Sequence, residues 1–186
     1  AWETTRRCNL ACAHCRAAAG KGPYPGELTP VEGKALLADI ASLGQVVVIL
    51  TGGEPLLRED IFELAAYGTS LGHRMVMAVN GTLLTPEIAR RLKEVGIQRL
   101  SISLDGATAA SHDRLRQVSG AFAGALQGIQ ILKEAGLPFQ INTTVIADNR
   151  EELPAISALA ERLGAAAHHV VEGGTVLYRA VELIGE

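Results

Sequence analysis

The 186 residues carry 17 Lys and Arg against 20 Asp and Glu, a net charge of −3, with 48% hydrophobic, 20% charged and 4% aromatic residues. That balance is ordinary globular usage and excludes disorder, collagen-like repeats and a coiled coil. A net negative charge offers nucleic acid no basic field, and so few rings leave little to stack on bases.

In chain order, strand patterns run over Ala1–Thr5, Gln45–Leu50, Arg74–Val79, Arg99–Leu104, Phe139–Ile146 and His168–Val171. Helix patterns fall between them. Thr29-Pro30-Val31-Glu32 reads as an N-cap, a Pro in the first turn and a capping-box Glu. Behind it Leu36, Leu37, Ile40 and Leu43 recur at helical spacing until Gly44. Ile61, Leu64, Ala65 and Leu71 predict a second helix. Thr85-Pro86 opens a third, with Ile88, Leu92 and Val95 on one face before Gly96. Ala121–Ala135 and Glu151–Leu163, with Pro154 in its opening turn, predict two more. Ala17–Glu27 is the one loop-rich segment. After Leu163 the pattern weakens. Gly173-Gly174 and the apolar run to Ile184 read as one more strand and a helix, or as a disturbed end.

Alternating strand and helix predicts a parallel sheet, open or closed. Within Gln45–Leu50, the run Val46–Leu50 is continuously apolar, the pattern of a strand covered on both faces. Two other strands alternate. Leu100, Ile102 and Leu104 share one face, and Ser101, Ser103 and Asp105 share the other; Gln140, Asn142 and Thr144 form a similar polar row. A polar row on a buried strand fits the lumen of a barrel that holds a ligand. Eight βα units take about 250 residues, so six take roughly 190. The expectation is α/β: a partial (β/α)6 TIM-like barrel with parallel strands, one domain over residues 1–186.

All three cysteines, Cys8, Cys12 and Cys15, lie directly after the first strand as C-x3-C-x2-C. An odd count is no disulfide framework. Three thiolates on one loop suit zinc or an iron–sulfur cluster. A structural zinc site needs a fourth ligand, which only a distant His73, His112, His168 or His169 supplies. A [4Fe–4S] cluster on three cysteines leaves one iron open, where a substrate or cofactor binds.

Arg7-Cys8-Asn9-Leu10-Ala11-Cys12-Ala13-His14-Cys15 resembles the cluster loop of the radical S-adenosylmethionine (radical SAM) superfamily. The resemblance implies a [4Fe–4S] cluster on Cys8, Cys12 and Cys15, SAM on the fourth iron, and His14 against the adenine. Thr51-Gly52-Gly53-Glu54-Pro55 follows the second strand. Alone it reads equally as an ordinary βα turn. It resembles the GGEP motif of that family, which implies that Gly52, Gly53, Glu54 and Pro55 meet the SAM amino group. Asn80 ends the third strand, near the SAM ribose and methionine by the same resemblance. Ser103 and Asp105 suit a ribose diol, although Asp105 equally suits substrate contact or a helix cap. Arg116 stands where relatives place an arginine for the SAM carboxylate, but Gln117 and Ala121 replace the glycine and serine of that motif. A solvated helix-end arginine is the plain alternative. Asn142 sits on the fifth strand where the family often has a polar SAM contact. His168 and His169, adjacent on a strand, point oppositely.

The functional expectation is a radical SAM enzyme in which a reduced cluster cleaves SAM to a 5′-deoxyadenosyl radical that modifies a substrate. Trp2–Arg7 and Gly52–Leu56 resemble the branch with C-terminal auxiliary iron–sulfur domains. That branch includes enzymes of alternative haem and haem d1 biosynthesis and peptide maturases, which implies a tetrapyrrole or a peptide substrate. Its cysteine-rich tail is absent, since no cysteine follows Cys15, which reads as an excised core or a truncated or altered chain. The other reading is an iron–sulfur electron-transfer or sensing module that never cleaves SAM. The longest apolar run, Val46–Leu50, is far shorter than the ~18–20 residues of a membrane span, and no signal peptide is visible. Reduced cysteines without an export signal predict the cytoplasm. Expected partners are SAM, the substrate and a reductant such as ferredoxin or flavodoxin, with neither nucleic acid nor membrane.

Overall fold

The computed structural model describes residues 1–171 and the backbone of 172 and 175–182. Its elements are β1 (Trp2–Thr5), α1 (Pro30–Leu43), β2 (Val47–Gly52), α2 (Ile61–Ser70), β3 (Arg74–Val79), α3 (Pro86–Glu94), β4 (Leu100–Ser103), α4 (Ala109–Arg116), α5 (Ala121–Glu134), β5 (Phe139–Val145), α6 (Leu153–Leu163), β6 (Ala167–Glu172) and β7 (Thr175–Glu182). One sheet runs β1 to β7 in sequence order. The first six strands pair in parallel, β7 pairs antiparallel with β6, and β1 meets neither. The result is the open six-stranded α/β sheet that the alternating pattern predicts, with one added edge strand.

The helix signals act as expected. The Thr29 hydroxyl accepts from the Glu32 N–H, and the Glu32 carboxylate accepts from the Thr29 N–H at 2.8 Å. Both orphan donors of the α1 start are thereby satisfied. The helices cover one face of the sheet. There Leu50, Met75, Met77, Leu100, Ile102 and Ile129 are fully buried, and Met75 presses against Gly68 of α2. The other face is the polar one. Gln140 Nε2 reaches Asn142 Oδ1 at 3.1 Å and His169 Nδ1 at 3.3 Å, so these residues line the inside together. His168 points outward, between Ser157 of α6 and Thr143.

Two expectations change. The β2 region is not covered on both faces: Val48 and Leu50 are buried, whereas Val47 on the opposite face is 53% exposed. Helix α4 is invisible to apolar periodicity. Its sequence, AASHDRLR, has a single large apolar residue, Leu115, and is set by its cap: Thr108 and Ser111 exchange side-chain and backbone hydrogen bonds. The strand expected after Gly173-Gly174 is β7. The two glycines and residues 183–186, where the pattern allowed a helix, lie outside the described residues.

Candidate functional site

The strand ends place the singled-out residues at one end of the sheet. The loop after β1 carries the cysteines, which form no disulfide. Local backbone bonds shape it: Cys15 N–H donates to Cys12 O at 3.1 Å and Cys8 N–H to Gly20 O at 2.7 Å. It is also tied to the end of α4, since Ala11 and Ala13 donate to the carbonyls of Arg116 and Leu115. Two sulfurs accept backbone N–H groups, Cys8 Sγ from Leu10 at 3.4 Å and Cys15 Sγ from Ala19 at 3.3 Å. Such bonds favour thiolate. Burial outweighs them at Cys8 and pushes its thiol up. Arg116 Nη1 lies 3.5 Å from Cys12 Sγ and supplies compensating charge.

The loop after β2 reaches the cysteine loop by close backbone approach. Gly53 N–H donates to Thr5 O at 2.7 Å and Glu54 N–H to Arg7 O at 2.8 Å. A Cβ on Gly52 would overlap the Thr5 carbonyl oxygen, and one on Gly53 that of Arg7. Gly52 also holds φ at 142°, a region glycine tolerates. The glycine pair is therefore required by geometry. Pro55 opens a single 3-10 turn, Pro55–Leu57. Glu54 is fully buried; its oxygens accept from Asn80 N–H at 2.8 Å and Leu56 N–H at 3.2 Å. Burial raises its carboxyl to about 7 against those hydrogen bonds. An ionised carboxylate has about four acceptor sites, so two stay free.

Asn80 closes a ring that sequence reasoning did not find. Its amide donates to Asn9 Oδ1 at 2.8 Å, Asn9 donates to Thr82 Oγ1 at 2.8 Å, and Thr82 returns both its N–H and hydroxyl to Asn80 Oδ1. The ring locks the cysteine loop onto the end of β3.

Asp105 is the centre of the site. Its Oδ2 lies 2.9 Å from His14 Nε2 and 2.7 Å from Arg116 Nη2, and its Oδ1 accepts from Thr144 N–H at 2.9 Å. Burial opposes ionisation there, but Arg116 and then His14 override it and hold the carboxyl below the ordinary range. Asp105 does not cap α4; Thr108 does. Arg116 is 8% exposed, so it is no solvated helix-end arginine. The residue after it, Gln117, takes the left-handed conformation, φ 57°, that the glycine of the family motif adopts freely. Two further supports carried no sequence signal. His112 Nδ1 accepts from Asp105 N–H at 3.1 Å, and buried Asn149 donates to the carbonyls of Asp105 and Thr144. Ser103 stands beside Asn142 in register, both half-buried on the inner face.

The residues fit a three-cysteine cluster with an adjoining organic ligand. Three thiols are free, and two buried polar atoms beside them, His14 Nδ1 and Arg116 Nε, have no protein partner. They do not fit a closed zinc site. Tetrahedral zinc draws its sulfurs onto one ion at about 2.3 Å. Among the described residues no three His, Cys, Asp or Glu side chains converge in that way. The distant histidines are engaged elsewhere: His73 with Leu37 O, His112 with Asp105, His168 with Thr143 and Ser157, His169 with Gln140. A cubane places each thiolate on its own iron, so the sulfurs need not meet at a point.

Comparison with known proteins agrees. The chain is 54% identical over 170 residues to the AdoMet-dependent heme synthase of Nitratidesulfovibrio vulgaris strain Hildenborough, covering 91% of this chain and 46% of that protein. It is 44% identical over 160 residues to the Fe-coproporphyrin III synthase of Methanosarcina barkeri strain Fusaro, covering 86% and 40%. The chain thus spans less than half the length of these relatives. The crystal structure of Streptococcus suis SuiB bound to S-adenosylmethionine superposes with a TM-score of 0.79 at 17% identity, covering 93% of this chain and 40% of that one. It shares the fold. The family model of the Radical SAM superfamily matches residues 2–160, and the chain belongs to that superfamily.

Proposed function

We propose that Cys8, Cys12 and Cys15 hold a [4Fe–4S] cluster and that the ends of β2 to β5 hold SAM beside it. The superfamily uses both groups. When bound, a reduced cluster supplies the electron that cleaves SAM to methionine and a 5′-deoxyadenosyl radical. The chain's part is to position the cofactor and keep water out. Glu54, with Gly52, Gly53 and Pro55, meets the SAM ammonium. Arg116 meets its carboxylate, for which a guanidinium is suited. Asp105 and Ser103 meet the ribose, Asn80 and Asn142 flank it, and His14 faces the adenine. Asp105 also fixes Arg116 and His14 in place.

The observation that carries this reading is the convergence on Asp105. One carboxylate ties His14 of the cysteine loop to Arg116 of α4 and to β5, and leaves buried polar atoms unspent next to three free thiols. An electron-transfer module needs a fourth cysteine and has no use for such a group. The whole protein's reaction is radical modification of a tetrapyrrole in haem biosynthesis, supported by the names of the relatives at 54% and 44% identity. Its reductant is a ferredoxin or flavodoxin and its compartment the cytoplasm. No helix among the described residues is long and apolar enough to cross a membrane. The test is SAM binding by the anaerobically reconstituted protein and its Asp105→Asn variant. Wild-type binding with a loss of at least tenfold in the variant supports the reading, and equal affinity overturns the role of Asp105.

A further inference from the structure

Among the described residues the inner face holds a cation, Arg99, that this chemistry does not use. Arg99 immediately precedes β4 and, alternating with Ser101 and Ser103, faces the lumen. Its side chain is half-buried, and its Nε is shielded from solvent without a hydrogen-bond partner. Among the described residues no carboxylate lies within 4.0 Å of it. Its one side-chain bond among the described residues is long, 3.5 Å from Nη1 to Gln140 Oε1. A guanidinium has five N–H donors, so nearly all of its capacity is unspent. A cation drawn part-way out of water without a counter-ion is costly, and such groups persist where a ligand compensates them.

We propose that Arg99, flanked by Gln140 and His169, anchors a carboxylate of the substrate at the floor of the lumen. This rests on the lumen being the substrate chamber of the function proposed above. The neighbours suit the role. Gln140 turns its amide NH2 toward Asn142 and His169, and its oxygen toward Arg99, which orients the guanidinium. A neutral His169 that accepts at Nδ1 carries its proton on Nε2, a second donor. Burial, and then the Arg99 charge, hold the His169 pKa below its ordinary value, which keeps it neutral near pH 7. One cation flanked by neutral donors is a site for a single carboxylate, bound through two parallel N–H bonds. Ser103 lies four residue steps along the strand from Arg99, roughly 13 Å at ~3.3 Å per residue. The substrate must therefore be acidic and long enough to span that distance from its anchored carboxylate to the cofactor end.

The test uses the natural full-length protein with its cluster reconstituted and SAM present. Iron coproporphyrin III, which bears carboxylates, is titrated against its tetramethyl ester, which bears none, followed by absorbance. Wild type should prefer the acid. Arg99→Gln should weaken acid binding about tenfold or more, the effect of losing one charge-assisted pair, and leave the ester unchanged. Arg99→Lys should fall between. Cluster absorbance and SAM affinity should stay at wild-type values, and Tm should hold or rise because an uncompensated charge is removed. Acid affinity within twofold of wild type in Arg99→Gln overturns the proposal. So does a fall in Tm with unchanged porphyrin binding, which marks a structural arginine. A wild type that takes up cluster and SAM but neither porphyrin overturns the proposal for this substrate class and leaves the cofactor reading standing. A wild type without cluster or SAM overturns both.

Discussion

Replacing Glu54 with Gln should give the apo protein a pH dependence of stability that differs in slope from the wild type. Glu54 is fully buried and its carboxyl lies at about 7, against 4.5 in an unfolded chain. The folded state therefore holds a proton that the unfolded state has released. Its contribution is present in full below pH 4.5 and is lost as pH rises through 7. A gap of about two and a half units at 1.36 kcal/mol per unit amounts to on the order of 3 kcal/mol. His112 acts with the opposite sign. Burial, and then Arg116, lower it from 6.5 to about 4. Its contribution is present above pH 6.5 and is lost as pH falls toward 4, again by about 3 kcal/mol. The two oppose each other between pH 4.5 and 6.5. Urea unfolding of the reduced apo protein at intervals from pH 4.5 to 7.5 separates them. Gln also loses an acceptor for one buried N–H, a cost of about 1–3 kcal/mol at every pH, so the slope is the diagnostic quantity. The stability of Glu54→Gln relative to wild type should rise by about 3 kcal/mol across the range. His112→Asn, which keeps an acceptor for the Asp105 N–H, should show the opposite trend. Parallel curves for Glu54→Gln and wild type would refute the placement of Glu54 as a buried carboxyl titrating near neutrality.

Other predictions follow from contacts at the same end of the sheet. Cys12→Ala should reduce iron from about four per chain to background, read by iron assay and by loss of cluster absorbance. Asp105→Asn strands the buried Arg116 charge and should cost about 3–5 kcal/mol in urea unfolding; a loss below about 1 kcal/mol would show that Cys12 alone suffices as its partner. Gly53→Ala drives a methyl group into the Arg7 carbonyl, so the cysteine loop must shift; cluster yield should fall even in preparations that keep wild-type far-UV circular dichroism. Gln117→Gly should relieve the left-handed cap and stabilise by up to about 1 kcal/mol in thermal or urea unfolding; a destabilisation would show that the Gln117 side-chain bond to Arg114 O outweighs the strain.

Strand and helix order was legible because apolar patterning marks most strands and helices, and Thr29-Pro30 and Thr85-Pro86 mark the starts of α1 and α3. The polar row of Ser101, Ser103 and Asp105 marks the inner face in the sequence itself, because alternation is a local property. What escaped was long-range. Asn9 and Thr82 lie 73 residues apart, and nothing in either neighbourhood announces their bond. Asn149 reads as a loop residue, yet its amide closes the ends of β4 and β5. Asp113 carries no signal in the sequence, yet its two oxygens accept from the N–H groups of Gly120 and Phe122 at the start of α5. Helix α4 was missed because a cap rather than an apolar stripe defines it. The sequence left a solvated Arg116 open as the alternative because burial depends on what folds over it. The cysteines and the glycine pair were the strongest signals, since spacing and glycine identity are visible directly.

We propose that three thiolates hold a cluster whose open iron takes SAM. Anaerobic reconstitution with iron and sulfide, then addition of SAM and dithionite, with product analysis for 5′-deoxyadenosine, tests this most directly. About four irons per chain are expected, with 5′-deoxyadenosine that depends on both cluster and reductant. Tightly bound zinc, or a full cluster that leaves SAM intact, would contradict the proposal.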